Sequence, residues 1–172
     1  MKHRSYLLEL QSKSDFRPKK FPETAISVGR ASTSDADLCR HLWIKVGRGF
    51  WNERADWTAE RWRTYLTEKA ISFWIVRMAI EEIGFFELAR DDENMKIEGL
   101  GLLPLWRNRG LGGGLLSAAT KQAFDCGASR IWLHTATDDH PNALPNYRKR
   151  GYRIYQEEEL RHPLPNHRPH HE

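Results

Sequence analysis

Patterns of apolar and polar residues divide the chain into eleven predicted elements. Runs rich in β-branched and aromatic residues predict strands, and apolar residues three or four apart, between Ser/Thr/Asp and Gly signals, predict helices. The order is β-β-α-α-β-β-β-α-β-α-β. The predicted strands are 5–11, 24–30, 71–79, 83–89, 95–103, 129–136 and 152–158, and the predicted helices are 32–47, 58–69, 115–127 and 142–151.

This order predicts an α/β fold in the broad, mixed sense, because it lacks a regular βαβ alternation. We expect one central, twisted, mostly antiparallel sheet of six or seven strands, flanked by about four helices. A chain of 172 residues is long enough for one domain and short for two. We therefore predict one domain over residues 1–160 and a disordered, Pro- and His-rich tail over 161–172.

Charge and cysteine content narrow the class of protein. The net charge is +4, but there is no long Lys/Arg run and no basic helix, so nucleic-acid binding is not expected. Cys39 and Cys126 form no CxxC pair and are expected to be free, buried thiols in a reducing compartment.

The first ten residues lack a signal-peptide core, and the apolar run 71–80 is too short to span a bilayer. The sequence predicts a cytoplasmic protein without membrane contact.

A glycine-rich stretch follows the predicted strand that ends at Pro104. Glycine costs a helix about 1 kcal/mol relative to alanine, so a helix that begins in glycines needs another reason. Unpaired amides and the helix dipole make a helix start an anion site, and glycines let a ligand reach the backbone. A turn that serves only tight packing is the alternative interpretation. The glycines are Gly110, Gly112, Gly113 and Gly114, with Arg107 and Arg109 beside them.

Two common phosphate-binding motifs do not fit this stretch. Leu115 stands where GxGxxG requires its third glycine, and no Gly-Lys-Ser/Thr follows. Arg107-x-x-Gly110-x-Gly112 instead resembles the acyl-CoA signature, Gln/Arg-x-x-Gly-x-Gly/Ala, of the GNAT N-acetyltransferase superfamily.

A second stretch, NALPNYRKRGY at 142–152, resembles the C-terminal signature of the same superfamily, Asn-x-x-Ala-x-x-Leu-Tyr-x-x-x-Gly-Phe. His140 departs from it at the usual Asn and Asn146 at the usual Leu, and Asn142 is a candidate to supply the missing amide. The resemblance extends over about 71–156, and less closely from residue 24. The residues in register are Ala143, Tyr147, Gly151 and Tyr152.

The resemblance implies direct transfer of an acetyl group from acetyl-CoA to an amine, without a metal. The cofactor would lie between two splayed strands, with its pantetheine arm on 96–103 and its pyrophosphate on the amides of 108–114. His140 is a cofactor contact or proton relay in one interpretation and a hydrogen-bonded loop residue in the other. The implied cofactor-binding residues are Leu102, Leu103, Arg107, Asn108, Arg109, Gly110, Leu111, Gly112, Gly113, Gly114, His134, His140 and Asn142.

The reaction needs an acid and a base. Only about one in two thousand primary amines is neutral at pH 7, and the departing thiolate needs a proton donor. Tyr147 matches the family position that protonates the sulfur. Glu98, in the strand before the glycine turn, is the first candidate base, and Glu87 on the neighbouring strand is its rival. His134 and His140 lack a third ligand at a convincing spacing, so no metal site is predicted.

The resemblance also implies that the first two helices and their loop shape the acceptor pocket. Trp43, Trp51 and Trp57 are candidate substrate contacts, because a cation over an aromatic ring gains roughly 0.5–2 kcal/mol. The same rings would serve equally as core. The expected acceptor is a primary amine on an unidentified small molecule or peptide. An acyl-CoA sensor without turnover is the alternative function, and edge strands at both chain ends make a homodimer possible.

Overall fold

A computed structural model describes residues 3–22 and 24–160, so the predicted tail lies outside the described residues. The described elements follow the predicted order. The strands are β1 (His3–Leu10), β2 (Ile26–Arg30), β3 (Ile71–Met78), β4 (Glu81–Asp91), β5 (Asn94–Leu102), β6 (Arg130–Ala136) and β7 (Arg153–Leu160). The helices are α1 (Ala36–Gly47), α2 (Ala59–Tyr65), α3 (Gly112–Asp125) and α4 (Ala143–Lys149).

Local capping explains where the first two helices begin and end. A capping box between Ser32 and Asp35 precedes α1. The Thr58 side chain accepts a hydrogen bond from the Arg61 amide at 3.1 Å, which starts α2. The helix stops at Tyr65, short of the predicted residue 69, where the Thr67 hydroxyl donates to the Thr64 carbonyl at 2.6 Å.

The seven strands form one sheet in the order β2-β3-β4-β5-β6-β1-β7. Every neighbouring pair is antiparallel except β5 and β6, which are parallel. The prediction of a mixed α/β domain with a mostly antiparallel sheet is therefore confirmed. The expectation of edge strands at both chain ends is wrong for β1, which lies between β6 and β7. The edges of the described sheet are β2 and β7, and the homodimer stays a prediction.

The parallel pair β5–β6 separates soon after it forms. Its register covers only Asn94–Lys96 against Arg130–Trp132, although β5 continues to Leu102 and β6 to Ala136. The two strands diverge over their second halves, which leaves polar backbone groups facing a gap in the middle of the sheet. Unpaired strand backbone of this kind can bind an extended ligand.

Two hydrophobic clusters cover the sheet. On one side α3 packs on β4, β5 and β6, and the cluster reaches Leu8 and Leu10 of β1. On the other side α1 and α2 enclose Trp43, Trp62 and Phe85. Cys39 is buried in this second cluster, but Cys126 is exposed at the end of α3, so the expectation that both thiols are buried is wrong. No helix among residues 3–22 and 24–160 combines the length and apolarity needed to cross a bilayer.

Candidate functional site

A cavity of about 470 Å³ opens where β5 and β6 part. Residues of the β5 end (100–102), the glycine turn (107–113), the segment 139–150 and the loop after α1 line it. Its described lining carries one carboxylate and four cations, so the cavity is suited to an anion. The carboxylate is Asp139 and the cations are Lys19, Arg107, Lys149 and Arg150.

The glycines of the turn have two different functions. Gly110 has a φ of +76°, a conformation that favours glycine. A Cβ at Gly110 would meet nothing within 4 Å, and one at Gly112 would meet only the Asn146 Nδ2 at 3.7 Å. Both therefore leave open space at the cavity. Gly113 and Gly114 are instead crowded by a segment near the chain start, so the packing interpretation applies to these two.

That segment, residues 11–22, is called the strap below. The Lys19 amide donates to the Ser117 Oγ on α3 at 2.8 Å. A Cβ on Gly113 would lie 2.6 Å from the Lys19 Cδ, and one on Gly114 would lie 2.5 Å from the Phe21 ring. The helix α3 begins at Gly112, three residues before the predicted start at Leu115. It includes the glycines because a residue without a Cβ lets the strap approach the helix backbone.

Arg107 bridges three parts of the site. Its Nε donates to the Leu102 carbonyl at 3.2 Å, and its Nη2 donates to the Val46 carbonyl at the end of α1 at 2.8 Å. The guanidinium also lies 5.2 Å from the Phe50 ring centroid. The residue lines the cavity, but two of its five donors fix the end of β5 against α1.

Asn146, the departure from the usual Leu, connects the two helices at the cavity. Its Nδ2 donates to the Gly112 carbonyl at 3.0 Å. The amide therefore holds α4 at the first turn of α3. Nothing in the local sequence pattern signals this contact, because it joins residues 34 positions apart.

Tyr147 lines the cavity from α4. Its ring packs edge-on against Tyr152 at 6.2 Å. Burial raises the pKa of its hydroxyl, and the Asp139 carboxylate adds to the shift. The phenol therefore keeps its proton at neutral pH, as a proton donor must.

The segment after β6 is fixed by its own hydrogen bonds. One oxygen of Asp139 accepts from the Thr135 hydroxyl at 2.6 Å and from the Ala136 amide at 2.9 Å. The Nδ1 of His140 accepts from the Asn142 amide at 3.2 Å, and its ring lies edge-on to Phe50 at 5.8 Å. His140 and Asn142 line the cavity.

Glu87, the rival base, is fully buried and fully engaged. Its two oxygens accept from the Arg54 Nη1 at 3.1 and 3.0 Å, and the Tyr65 hydroxyl donates to it as well. Burial raises the pKa of Glu87, while the Arg54 guanidinium opposes that shift. The carboxylate is 0% exposed and therefore has no access to an amine in the cavity.

Glu98 lies on a bulge in β5. Glu87 pairs with Gly99 and Leu88 pairs with Ile97, which leaves Glu98 as the extra residue between them. Its carboxylate is partly exposed and forms an ion pair with Lys96 at 2.9 Å. Glu98 lies outside the cavity lining.

The tryptophan cluster already holds an internal cation. The Arg54 guanidinium lies 4.0 Å from the Trp43 ring centroid and 4.8 Å from that of Trp57. Trp43 is 5% exposed and belongs to the core. Of the three predicted substrate contacts, only Trp51 lines the cavity.

Several predicted site residues lie away from the cavity. His134 is exposed on β6, Arg109 lies over the Trp106 ring, and Leu103 packs into the α1-side cluster. His134 points to the opposite face of β6 from its buried neighbours Leu133 and Thr135. The predicted residues outside the cavity lining are Leu103, Arg109, Gly114, His134, Glu87, Glu98, Trp43 and Trp57.

The charged cavity residues that the sequence prediction missed are Lys19, Asp139, Lys149 and Arg150. Lys19 stands in a Pro/Lys segment that resembles an ordinary loop, and Arg150 stands within a signature stretch whose known positions surround it. The described part of the chain contains no group of three His, Cys, Asp or Glu side chains placed to hold a metal.

A mixed sheet that splays beside a glycine turn and a cationic cavity is the architecture of a GNAT-type acetyltransferase. Residues 36–152 match the model of the acetyltransferase (GNAT) family, and the chain belongs to that family. The resemblance in the two signatures is thereby confirmed.

Similar proteins agree with this assignment. The uncharacterized N-acetyltransferase YjcF of Bacillus subtilis (strain 168) is 39% identical over 65 residues, which are 38% of this chain and 44% of YjcF. A GCN5-related N-acetyltransferase from Kribbella flavida has a TM-score of 0.64 at 23% identity, over 88% of this chain and 54% of that chain. Another, from Sphaerobacter thermophilus, has a TM-score of 0.71 at 15% identity, over 92% and 50%. The matched region spans about half, or less, of each relative, and the two structures share the fold.

Proposed function

We propose that the protein is an acetyl-CoA-dependent N-acetyltransferase that acts on a primary amine of a small molecule or peptide. The observation that carries the proposal is the cavity at the β5–β6 gap. It combines the open glycines Gly110 and Gly112, an excess of cations and the protonated Tyr147 in one space. Open glycines and cations suit the pyrophosphate, and a protonated phenol suits the sulfur that leaves the thioester.

In this proposal the cofactor lies along β5 and the start of α3. Amides of the turn 108–113 bind the pyrophosphate, because the first amides of the 14-residue α3 have no partner inside the helix. The unpaired backbone of β5 at 100–102 binds the pantetheine arm. Fixing Arg107 to both β5 and α1 keeps this surface in place before the cofactor arrives.

The chemistry is direct transfer. The neutral amine nitrogen forms a bond with the thioester carbon while the carbon–sulfur bond breaks. Tyr147 gives its proton to the departing sulfur, and the amine loses a proton to a base. The base then releases its proton to solvent and Tyr147 takes one up from solvent, so atoms and charge balance over one turnover.

We assign the base to Glu98, acting through water. Its carboxylate is partly exposed at the bulge, whereas Glu87 is closed off by Arg54 and Tyr65. A base that works through water does not need to line the cavity itself.

Calorimetry tests the binding part of the proposal. We expect acetyl-CoA to bind, and ATP and NAD at equal concentrations not to bind. Release of free thiol with a panel of primary amines then separates an enzyme from an acyl-CoA sensor. Tight binding without thiol release for any amine would support the sensor.

Replacing Tyr147 with Phe tests the chemical step. Loss of the proton donor should lower kcat by about 10²–10⁴-fold while leaving the KM for acetyl-CoA nearly unchanged. Tyr152→Phe is the matched control, because that hydroxyl is bonded to Thr120 at 2.7 Å and does not line the cavity. Full activity of the Tyr147→Phe variant would show that Tyr147 is not the proton donor and serves only in packing.

A further inference from the structure

Arg150 carries a positive charge that no described residue balances. It lines the cavity, and its Nε and Nη1 atoms are buried and make no hydrogen bond within residues 3–22 and 24–160. No ion pair of the described chain involves it. Arg150 as a whole is partly exposed, but burying two guanidinium nitrogens without a hydrogen-bond partner is costly.

Lys19 approaches the same point from the strap. A Cβ on Gly113 would lie 2.6 Å from the Lys19 Cδ and 2.8 Å from the Arg150 Nη1. Both side chains therefore cross the first turn of α3 at one residue. The single carboxylate of the cavity lining, Asp139, is already bonded to Thr135 and Ala136.

Backbone contacts hold the two residues in this arrangement without using their charges. The Arg17 amide donates to the Arg150 carbonyl at 3.0 Å, and the Lys19 amide donates to Ser117 at 2.8 Å. The strap lies outside the segment 36–152 that matches the family. Lys19 therefore lies outside the family match, whereas Arg150 lies within it.

We infer that Lys19 and Arg150 form a clamp for a phosphate group of the cofactor, across the first turn of α3. The inference rests on the proposed function. An unpaired arginine, a lysine and free helix amides meet around one residue, and this combination recognises phosphate. Coenzyme A offers two such groups, the diphosphate and the ribose 3′-phosphate, and the test separates them.

The test is calorimetry of the full chain with CoA and with dephospho-CoA, which lacks the 3′-phosphate. The variants are Lys19→Met, Arg150→Met and the double variant, and they leave the two backbone hydrogen bonds intact. Lys20→Met and Arg148→Met are matched controls, because each removes one neighbouring charge that does not line the cavity. Thermal melting verifies that every variant is folded.

We expect each clamp variant to weaken CoA binding by about tenfold or more relative to the controls. Arg150→Lys should restore part of the affinity, since it keeps the charge. If affinity for dephospho-CoA falls equally, the clamp binds the diphosphate; if only CoA is affected, it binds the 3′-phosphate. Either result supports the clamp.

Two other results contradict it, and they are distinguishable. Wild-type binding of CoA with clamp variants no weaker than Lys20→Met and Arg148→Met overturns the clamp and leaves the proposed function standing. Failure of the wild-type protein to bind either coenzyme overturns the proposed function, and the clamp with it.

Discussion

Individual glycines at the start of α3 differ in what they contribute. Gly112 faces the cavity with only the Asn146 Nδ2 nearby, whereas Gly114 lies against the Phe21 ring. Two glycines in one helical turn therefore serve different purposes. The first leaves room for a ligand, and the second leaves room for the strap.

Alanine at these two positions should separate the two purposes. Gly112→Ala should leave the free energy of unfolding unchanged or raise it by up to about 1 kcal/mol, but weaken acetyl-CoA binding because its methyl group enters the open space. Gly114→Ala should lower the stability by about 1–3 kcal/mol, because the methyl group displaces Phe21. Urea unfolding and calorimetry measure both effects. Equal stability losses in the two variants would contradict this distinction.

The two family signatures predicted part of the cavity lining. The glycine turn, Tyr147, His140 and Asn142 all reach the cavity, because signature residues lie close together along the chain and their spacing carries the information. Arg150 and Lys19 could not be predicted in this way, since their meeting depends on how a distant segment packs.

At the scale of elements, the loop after α1 is fixed by a buried ion pair. Arg54 of this loop is 8% exposed and reaches Glu87 on β4 through a box of aromatic rings. The same loop carries Phe50 and Trp51, which line the cavity. Anchoring Arg54 therefore positions one wall of the site from outside it.

Breaking this pair should affect folding more than chemistry. Glu87→Gln leaves Arg54 buried with no counter-charge, which should cost about 3–5 kcal/mol in urea unfolding. Glu98→Gln is the comparison: its partly exposed pair with Lys96 is worth about 0.2–1 kcal/mol, while turnover should fall by about 10²–10⁴-fold. If the Glu87→Gln variant were as stable as the wild type but had lost turnover, Glu87 would be the base instead of Glu98.

For the whole molecule, the position of β1 determines how the sheet is completed. β1 lies between β6 and β7 and pairs with both, His3 opposite Leu160 and Leu10 opposite Ile131. Leu8 and Leu10 are 0% exposed in the cluster beneath α3. A segment outside the family match is therefore an interior part of the domain.

Truncating β1 side chains tests this integration. Leu8→Ala should destabilise the fold by about 2–5 kcal/mol, because a cavity forms in a closed core. Leu7→Ala is the control, since that half-buried side chain points to the other face of the strand and should cost less. A Leu8→Ala variant as stable as the wild type would show that β1 is an accessory strand.

Strand positions were predictable where they depend on local alternation, as in β3, β4 and β5, which lie close together in sequence. The place of β1 was not predictable from its own pattern. SYLLEL at 5–10 has the composition of any half-buried strand, and its partners are chosen by packing with residues that follow much later. The strap and its contacts with α3 were missed for the same reason.

The position of β1 also affects how the chain folds during its synthesis. The ion pair of Glu9 with Arg130 joins residues 121 positions apart. Ribosomes add about 5–20 residues per second, so β1 waits roughly 6–24 s for its first sheet partner. During that interval the apolar side chains of Leu8 and Leu10 have no sheet to pack in, and a chaperone that binds nascent chains would have access to them.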